Sequence, residues 1–411
     1  MSFDHKIKKY INSLPKSFTF EKLISDTGTY GTVLKVIDND SGESRAIKFY
    51  KNQSFKDRSQ EIFNVEAIRE IAASRQIGDI NGVIFSKVHF LEPDSQCVLE
   101  MPYVQNTLQA YNYTSVATKI ATINWIMPQL LQTLASIHRQ GLIHNDIKLD
   151  NILIDMKRKM SFLIDFGLSG KPSLLNCCIE YCFPVNFRPF EVEMGSKYHD
   201  SKADIWALGV SCLYFIYKIL FANYADLFSR IPSMKSELPI NTPELIATQN
   251  IYFDVEYMNR PSITREIPDN MKSMFRDMLN LDPRKRLSAV ELLNKYYKIK
   301  IPLLSKRSNR VLVLPNVNKQ VTELVTRIIP NYIIMINDEL YDLVVKEVVK
   351  LYHRVDKLQL YDDETNVCIC LYIVHMLYDS IVDNSKIKNK SEFKTKVINV
   401  MSHLNYDLYV Y

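Results

Sequence analysis

Two short stretches near the middle of the chain constrain its fold more than any other feature: residues 144–151, HNDIKLDN, and residues 164–167, IDFG. Residues 151–154 and 160–164 have the apolar content typical of strands. The two stretches therefore lie at turns beside strands, about fourteen residues apart. Carboxylates, an amide and a lysine at such turns can hold metal-bound ATP beside a hydroxyl, because phosphoryl transfer depends on positioning and electrostatic stabilisation.

In this order and spacing, the two stretches resemble the catalytic loop and the metal-binding loop of protein kinases. The resemblance implies ATP and Mg²⁺ as cofactors. It implies that Asp146 accepts the proton of the acceptor hydroxyl and that Lys148 lies over the moving phosphoryl group. It also implies that Asn151 and Asp165 hold Mg²⁺, and that Asp165 thereby contacts the nucleotide.

The resemblance also implies an α+β, two-lobed protein kinase fold, with an antiparallel β-sheet N-lobe and a helical C-lobe. We expect this domain to occupy residues 17–298. Residues 299–318 contain two prolines and several basic residues, and we expect them to form a linker. Residues 319–411 have helical apolar periodicity, which predicts an all-α C-terminal domain.

The N-terminal part of the chain has the composition of an antiparallel sheet. Residues 18–24, 32–38 and 44–50 are rich in β-branched and aromatic residues, which predicts three strands. The turn between the first two strands contains Gly28 and Gly31, whose backbone N–H groups can lie over phosphates. The kinase pattern has three glycines here, and Asp26 stands in place of the first.

Lys48 ends the motif Arg-Ala-Ile-Lys, which matches the strand-three lysine motif of kinases, and the resemblance assigns it to the α- and β-phosphates. Its expected partner is a glutamate on the helix predicted over residues 60–75. Glu61, Glu66 and Glu70 compete for this role. We choose Glu70, because the sequence around it resembles the corresponding helix of cyclin-dependent kinases.

Residues 98–103 resemble the last strand of the small lobe and the hinge of a kinase. The resemblance makes Leu99 the gatekeeper, and it brings the main chain around Glu100 and Met101 to the adenine. The residues expected to enclose the adenine ring are Val33, Ala46 and Leu153.

Two further features of the helical lobe match the scaffold of kinases. Residues 187–191 stand where the family has its Ala-Pro-Glu motif, and we expect Glu191 to pair with Arg286. Asp204 begins a stretch that resembles the buried helix whose aspartate supports the catalytic loop.

Among kinases, the likeness is to cyclin-dependent enzymes, in which three arginines hold an activation-loop phosphothreonine. Here Asn145 and Gly170 replace two of the arginines, Ile179 replaces the threonine, and Arg69 alone remains. A phosphate orders a loop through contacts to arginine. The sequence therefore predicts activation without loop phosphorylation. Pro184 replaces a threonine that ties the catalytic carboxylate to the catalytic lysine.

The region after residue 318 has the periodicity of a helical bundle. Residues 340–355 form one apolar face, residues 367–378 are apolar nearly all round, and residues 393–404 form a third face. The order resembles the first helical repeat of a cyclin, which implies a kinase fused to its own activator. An unrelated helical extension is the alternative.

Composition restricts the remaining classes of partner and location. A net charge of +5 over 411 residues gives no case for nucleic-acid or membrane binding. Seven cysteines without regular spacing favour a reducing, intracellular setting, cytoplasmic or nuclear. The apolar run at residues 207–221 includes Lys218 and predicts a buried helix rather than a membrane span.

The sequence supports two hypotheses of function. In the first, the chain is an active serine/threonine kinase that acts on protein substrates, because Lys148 follows the catalytic carboxylate by two residues as in that class. In the second, it is a pseudokinase that serves as a binding scaffold. The features that favour the second hypothesis are Asp26, Asn145 and Pro184.

Overall fold

A computed structural model describes most of the two predicted lobes and the C-terminal helices. The residues described are 8, 10–12, 14–26, 31–50, 64–84, 86–91, 96–111, 115–171, 184, 187–193, 199–217, 267–280, 282–301, 319–331, 338–378, 387, 389–406 and 408. Within these ranges, each helix is too short or too polar to span a lipid bilayer.

The N-terminal lobe is built on a five-stranded antiparallel sheet in the order β1-β2-β3-β5-β4. The strands are β1 (Phe18–Ser25), β2 (Gly31–Asp38), β3 (Ser44–Tyr50), β4 (Lys87–Leu91) and β5 (Gln96–Pro102). The three strands predicted at the N-terminus are confirmed, and the first two are longer than predicted by one residue. Val33 pairs with Lys48, and Lys48 pairs with Leu99. The side chains of these residues therefore point to one face of the sheet.

Helix α1 (Val65–Ile77) is buried on nearly its whole circumference. It begins at Asn64, whose side chain accepts a hydrogen bond from the N–H of Ala67 (2.9 Å), and Gly78 at φ 68° ends it. Only Arg75 is not buried. The predicted start of this helix, residue 60, lies outside the described residues. The observed helix ends two residues beyond the predicted end at Arg75. A helix that is buried on all sides needs partners on all sides.

The second lobe is helical and carries a small sheet at its junction with the first. Strands β6 (Asn106–Thr107), β7 (Ile152–Asp155) and β8 (Met160–Leu163) form this sheet in that order. The helices described are α2 (Val116–Arg139), α3 (Phe190–Glu193), α4 (Lys202–Tyr217), α5 (Asp269–Met278) and α6 (Ala289–Leu292). Residues 203–213 of α4 are all buried, which confirms the predicted buried helix over the described part of this apolar run; its residues 218–221 lie outside the described residues.

A buried ion pair ties α3 to the end of the lobe. Arg286 donates from Nη1 and Nη2 to the two oxygens of Glu191 at 2.7 and 2.8 Å, and its guanidinium lies 5.0 Å from the ring centre of Trp206. Both partners are almost fully buried. This two-bond geometry confirms the predicted pair and fixes the segment that follows the activation loop.

The C-terminal region forms a helical bundle that packs against α1 of the N-terminal lobe. Its helices are α7 (Lys319–Ile328), α8 (Asp338–Asp356), α9 (Asp363–Tyr378) and α10 (Lys390–His403). Helix α9 contacts the other three and also α1. Its residues 369–377 are all buried, so the predicted central helix is confirmed. The buried residues of the bundle belong to the same apolar cluster as those of the helical lobe.

We expect Glu191→Ala to lower the free energy of unfolding by about 3–5 kcal/mol, because it leaves the Arg286 charge buried without its partner. Arg284→Ala is the matched control, since the Arg284–Asp282 pair at 3.0 Å involves an exposed arginine and such pairs contribute about 0–1 kcal/mol. Thermal unfolding of both variants measures the difference. Equal losses in the two variants would show that the buried pair is not a special support of the fold.

Candidate active site

The β7–β8 hairpin brings the two predicted metal ligands together. Ile152 pairs with Leu163, and the Ile164 N–H donates to the Asn151 carbonyl at 3.1 Å. Asp165 follows directly, at φ 68°. A non-glycine residue in this left-handed region is uncommon, and aspartate is one of the residues that tolerate it. The strand pairing therefore sets Asn151 and Asp165 side by side at one end of the hairpin.

Asp146 is buried among groups that fix its carboxylate. Lys148 Nζ donates to Asp146 Oδ1 and Oδ2 at 3.0 and 2.7 Å, and Asn151 Nδ2 donates to Oδ2 at 2.8 Å. Burial raises the pKa of Asp146 to about 6, although the charge of Lys148 acts in the opposite direction. A base with a pKa close to neutrality suits proton acceptance at physiological pH.

Lys48 joins α1 to the metal-binding loop. Its Nζ donates to Glu70 Oε2 and to Asp165 Oδ1, each at 2.8 Å. Burial lowers the pKa of Lys48, but the carboxylates of Asp165 and Glu70 outweigh this effect and raise it. The lysine therefore stays charged between two carboxylates that are also shielded from water.

Of the three glutamates considered for Lys48, Glu70 is the one that lies within ion-pair distance. Glu66, one helical turn earlier, packs instead against Gly167, where a Cβ atom would lie 3.2 Å from the Cβ of Glu66. Glu61 lies outside the described residues. Glycine at position 167 thus permits close packing of the metal-binding loop against α1.

Tyr50 also holds Glu70, and the sequence analysis did not identify it. The hydroxyl of Tyr50 donates a short hydrogen bond to Glu70 Oε2, and Lys48 Nζ lies 4.7 Å from the centre of the Tyr50 ring. Tyr50 is 2% exposed. The signal in the sequence was its position two residues after Lys48, since alternate residues of a strand share a face.

The strand register places the expected adenine-binding residues in one apolar region. Ala46 pairs with Met101, and both belong with Leu99 and Leu153 to the main buried cluster, on which Val33 packs. Beyond Glu100, β5 has no pairing residue in β4. On the side of β5 that faces β4, the main chain of Met101 therefore has no pairing residue in β4. A ligand that hydrogen-bonds to the main chain needs such an edge.

Two residues shape the base of the first turn. A Cβ atom at Gly31 would lie 2.5 Å from the carbonyl oxygen of Phe49, so the close approach of β2 to β3 requires glycine there. Asp26 accepts a hydrogen bond from the Thr32 hydroxyl at 2.6 Å. The substituted aspartate therefore links the two ends of the turn. Gly28, like Thr29 and Tyr30, lies outside the described residues.

Asp204 supports the backbone of the catalytic loop. Its Oδ2 accepts from the His144 N–H at 2.8 Å and its Oδ1 from the Asn145 N–H at 2.9 Å. His138 Nε2 lies 2.9 Å from Oδ2. Burial raises the pKa of Asp204, but the hydrogen bond from His138 and the other contacts lower it overall. The expected support of the catalytic loop by this aspartate is confirmed.

Asn145, which replaces the family's arginine, is a neutral link to the metal-binding loop. Its Nδ2 donates to the Leu168 carbonyl at 3.0 Å, and its Oδ1 lies 3.2 Å from His199 Nε2. Its φ of 64° is a conformation that asparagine adopts readily. Burial lowers the pKa of His199, which favours the neutral ring. Hydrogen bonds between uncharged groups thus hold the side chain at position 145, where the family has an arginine.

The start of the activation segment is attached to the catalytic loop by main-chain pairing. Gly170 and Ile143 exchange backbone hydrogen bonds at 2.8 and 3.1 Å. Ser169 is buried, and its hydroxyl donates to the His144 carbonyl at 3.2 Å. Ile179, which replaces the family's threonine, lies outside the described residues.

The residues that the kinase resemblance assigns to Mg²⁺ fit a magnesium ion. Asn151 uses its Nδ2 to bind Asp146, and Asp165 uses Oδ1 to bind Lys48. Among the described residues, no hydrogen bond occupies Asn151 Oδ1 or Asp165 Oδ2. Magnesium prefers oxygen ligands, and it commonly takes one or two from the protein and the rest from phosphates and water.

We expect Tyr50→Phe to lower kcat/KM for ATP by about tenfold, because hydrogen bonds to charged groups contribute roughly 1.5–3 kcal/mol and Glu70 would lose one of two partners. Tyr10→Phe is the control, since its ring packs on Phe49 of the same lobe at 5.1 Å. Steady-state phosphate transfer with varied ATP measures the effect. An unchanged Tyr50→Phe variant would mean that Lys48 alone positions Glu70.

Comparison with known proteins agrees with this geometry. The sequence profile of the protein kinase domain family matches residues 21–298. Human serine/threonine-protein kinase MAK is 27% identical over 305 residues, which cover 72% of this chain and 48% of MAK. A probable serine/threonine-protein kinase of Dictyostelium discoideum is 28% identical over 316 residues, or 73% of this chain and 59% of that protein.

Cyclin-dependent kinase D-1 of Oryza sativa subsp. japonica is 24% identical over 304 residues, which cover 68% of this chain and 66% of that protein. The chain thus spans about half to two thirds of the length of these curated relatives. The predicted two-lobed fold and the predicted relationship are confirmed. The chain belongs to the protein kinase family and is related to serine/threonine kinases of the cyclin-dependent type.

Proposed function

We propose that the protein is an active, Mg²⁺- and ATP-dependent serine/threonine kinase that phosphorylates proteins. The observation that carries this proposal is the pair of contacts from Lys48 Nζ to Glu70 and Asp165, at 2.8 Å each. They join α1, β3 and the metal-binding loop in the arrangement that phosphoryl transfer requires. The serine/threonine-kinase relatives support the choice of hydroxyl.

In this mechanism, Asp146 accepts the proton of a serine or threonine hydroxyl as its oxygen bonds to the γ-phosphorus of ATP. The bond from that phosphorus to the β,γ-bridging oxygen breaks, and ADP leaves. Lys148, within 3.0 Å of the Asp146 carboxylate, offers a positive charge near the transferred group. Lys48 would hold the α- and β-phosphates. Charge stabilisation at fixed positions accounts for most of the acceleration in this class of reaction.

Mg²⁺ bound by Asn151 and Asp165 would neutralise charge on the β- and γ-phosphate oxygens. The protein's own part is to orient these two ligands. The Asp146–Asn151 hydrogen bonds, from Nδ2 to the carbonyl and carboxylate oxygens at 2.8 Å, fix the side-chain amide so that its oxygen points away from Asp146. The ion pair with Lys48 does the same for Asp165.

We expect Asp146→Asn to reduce kcat by about 10²–10⁴-fold, because the variant keeps the shape of the site and loses its proton acceptor.

We expect Asp165→Asn to weaken ATP binding in Mg²⁺ much more than ATP binding in EDTA, because only the former uses the metal ligand. Transfer of labelled phosphate to a basic protein, with nucleotide titrations in Mg²⁺ and in EDTA, measures both effects.

Wild-type activity that survives Asp146→Asn unchanged would contradict the proposed role of this carboxylate. A wild-type chain that binds ATP but transfers no phosphate would support the alternative, a pseudokinase scaffold. The departures at Asp26 and Asn145 do not themselves favour that alternative, because each residue makes hydrogen bonds that fix the turn or loop in which it lies.

We further propose that the C-terminal helices activate the kinase in cis, as a cyclin-like domain would. Helix α9 packs against α1, which also contacts β5 and is buried at every residue except Arg75. A helix buried on both sides is held in place, and so is the Glu70 carboxylate that it carries. Because both parts belong to one chain, docking does not depend on the concentration of a partner.

Activation without loop phosphorylation is part of this proposal. A phosphate orders a segment by pairing with arginine, and the catalytic loop here has Asn145 in that position. Its neutral bonds to Leu168 and His199 fix the loop without a phosphate. The backbone pairing of Gly170 with Ile143 and the Ser169–His144 bond support the same segment. Cys212 and Cys370 are buried free thiols, which supports an intracellular setting.

We expect the phosphatase-treated full chain, made in a bacterial host, to be active. A chain that ends at Ser305 should lose at least about tenfold in kcat/KM, equivalent to ~1.4 kcal/mol, because α1 would lose its contact with α9. Mass spectrometry checks that no phosphate remains, and thermal unfolding checks that the short chain folds. Equal activity of two folded chains would reduce the helical region to a docking appendage. Loss of activity on phosphatase treatment would contradict phosphate-independent activation.

A further inference from the structure

Arg69 lies at the contact between α1 and the C-terminal helices. Its side chain is buried, with 7% of the residue exposed, and Nε donates to the Met376 carbonyl oxygen at 2.8 Å. Met376 is in the last turn of α9, where carbonyl groups have no partner within the helix. The guanidinium thus donates a hydrogen bond to a buried carbonyl at the end of α9.

The charge of Arg69 suits this position. The C-terminal end of a helix carries a partial negative charge, which favours a cation in the last turn. A buried guanidinium also requires compensation for its lost hydration. The end of α9 supplies a hydrogen-bond acceptor and a favourable field together, so the contact specifies a cation on α1.

Arg69 and Glu70 hold α1 from two directions. Successive residues of a helix project about 100° apart, and here Glu70 reaches Lys48 on β3 while Arg69 reaches α9. The two contacts oppose rotation of α1 about its axis. If the Arg69 contact is lost, α1 can turn and Glu70 can leave Lys48 without disturbing the strand register.

A charge of the helical region also acts at the start of the activation segment. Glu347 on α8 is buried and accepts from Lys350 at 2.6 Å. Burial lowers the pKa of Lys171, and the nearby charge of Glu347 acts in the opposite direction. Lys171 directly follows Gly170, which pairs with the catalytic loop. The helical region therefore contacts α1, and one of its charges acts on a residue at the start of the activation segment.

We propose that Arg69 is a positioning residue that transmits the docking of α9 to the Lys48–Glu70 pair. The inference rests on the proposed activation in cis and names the residue through which it acts. Arg69 touches neither ATP nor the acceptor hydroxyl in this scheme. It acts by fixing the orientation of α1, and the carbonyl end of α9 is its ligand.

The test uses the full-length chain and the variants Arg69→Ala and Arg69→Lys. We expect Arg69→Ala to lower kcat/KM for ATP by about tenfold, equivalent to ~1.4 kcal/mol. Arg69→Lys should recover part of the loss, since lysine keeps the charge and one donor. Arg75→Ala, which removes the half-buried arginine of the same helix, is the control and should stay within about twofold of wild type, as surface substitutions usually do.

A double-mutant cycle with Glu70→Gln separates positioning from a general loss of structure. If Arg69 acts through Glu70, Arg69→Ala should have little further effect in the Glu70→Gln background. An equal loss in both backgrounds would overturn this route. Thermal unfolding accompanies each variant. If Arg69→Ala does not fold, Arg69→Gln replaces it, because glutamine keeps a neutral donor and loses the charge.

The outcomes distinguish this inference from the function on which it rests. An active wild-type chain with Arg69→Ala as active as Arg75→Ala would overturn the role of Arg69 and leave the kinase proposal standing. An inactive wild-type chain, equal to Asp146→Asn, would overturn the proposed function and this inference with it. Loss in Arg69→Ala, partial recovery in Arg69→Lys and non-additivity with Glu70→Gln together would support the proposal.

Discussion

The buried ion pair between Lys48 and Glu70 is the interaction on which the rest of the site depends. Removing two charges from water costs several kcal/mol per ion, and the pair is stable only when its geometry and its other hydrogen bonds are good. Here Tyr50 and Asp165 supply the additional contacts. The contacts of Lys48 and Tyr50 with Glu70 require α1 in one orientation. The packing of α1 between the sheet and α9 is therefore a condition for the electrostatics of the site.

The catalytic loop is supported by a second buried carboxylate, which meets the backbone rather than the reactants. Asp204 binds two consecutive N–H groups of the loop, and Asn145 extends this support to the metal-binding loop. His144 continues it, because its ring packs on Phe166 with ring centres 4.7 Å apart. The Asp204 carboxylate and the neutral side chains of Asn145 and His144 thus hold the catalytic loop. A charged arginine at position 145, as in the family, would need a counter-ion.

Local patterns made much of the site predictable from the sequence. The apolar residues at 151–154 and 160–164 predicted two strands, which the structure has as β7 and β8, and the motifs around Lys48 and Glu70 pointed to two residues that form an ion pair. Contacts between distant residues were not predictable in this way. The bond from Arg69 to the Met376 carbonyl joins residues 307 positions apart, and a main-chain acceptor leaves no mark in residue type. Tyr50 was missed because an aromatic residue in a strand is ordinary in a core.

The burial of nearly every residue of α1 has a consequence for small molecules that compete with ATP. A compound that needs the space occupied by Glu70 must first break a buried ion pair and separate α1 from α9 in the same chain. Its apparent affinity falls by the fraction of molecules in that open state. Compounds that fit the closed site meet no such penalty. Under the proposed activation in cis, the fused helices would therefore favour inhibitors that fit the closed site.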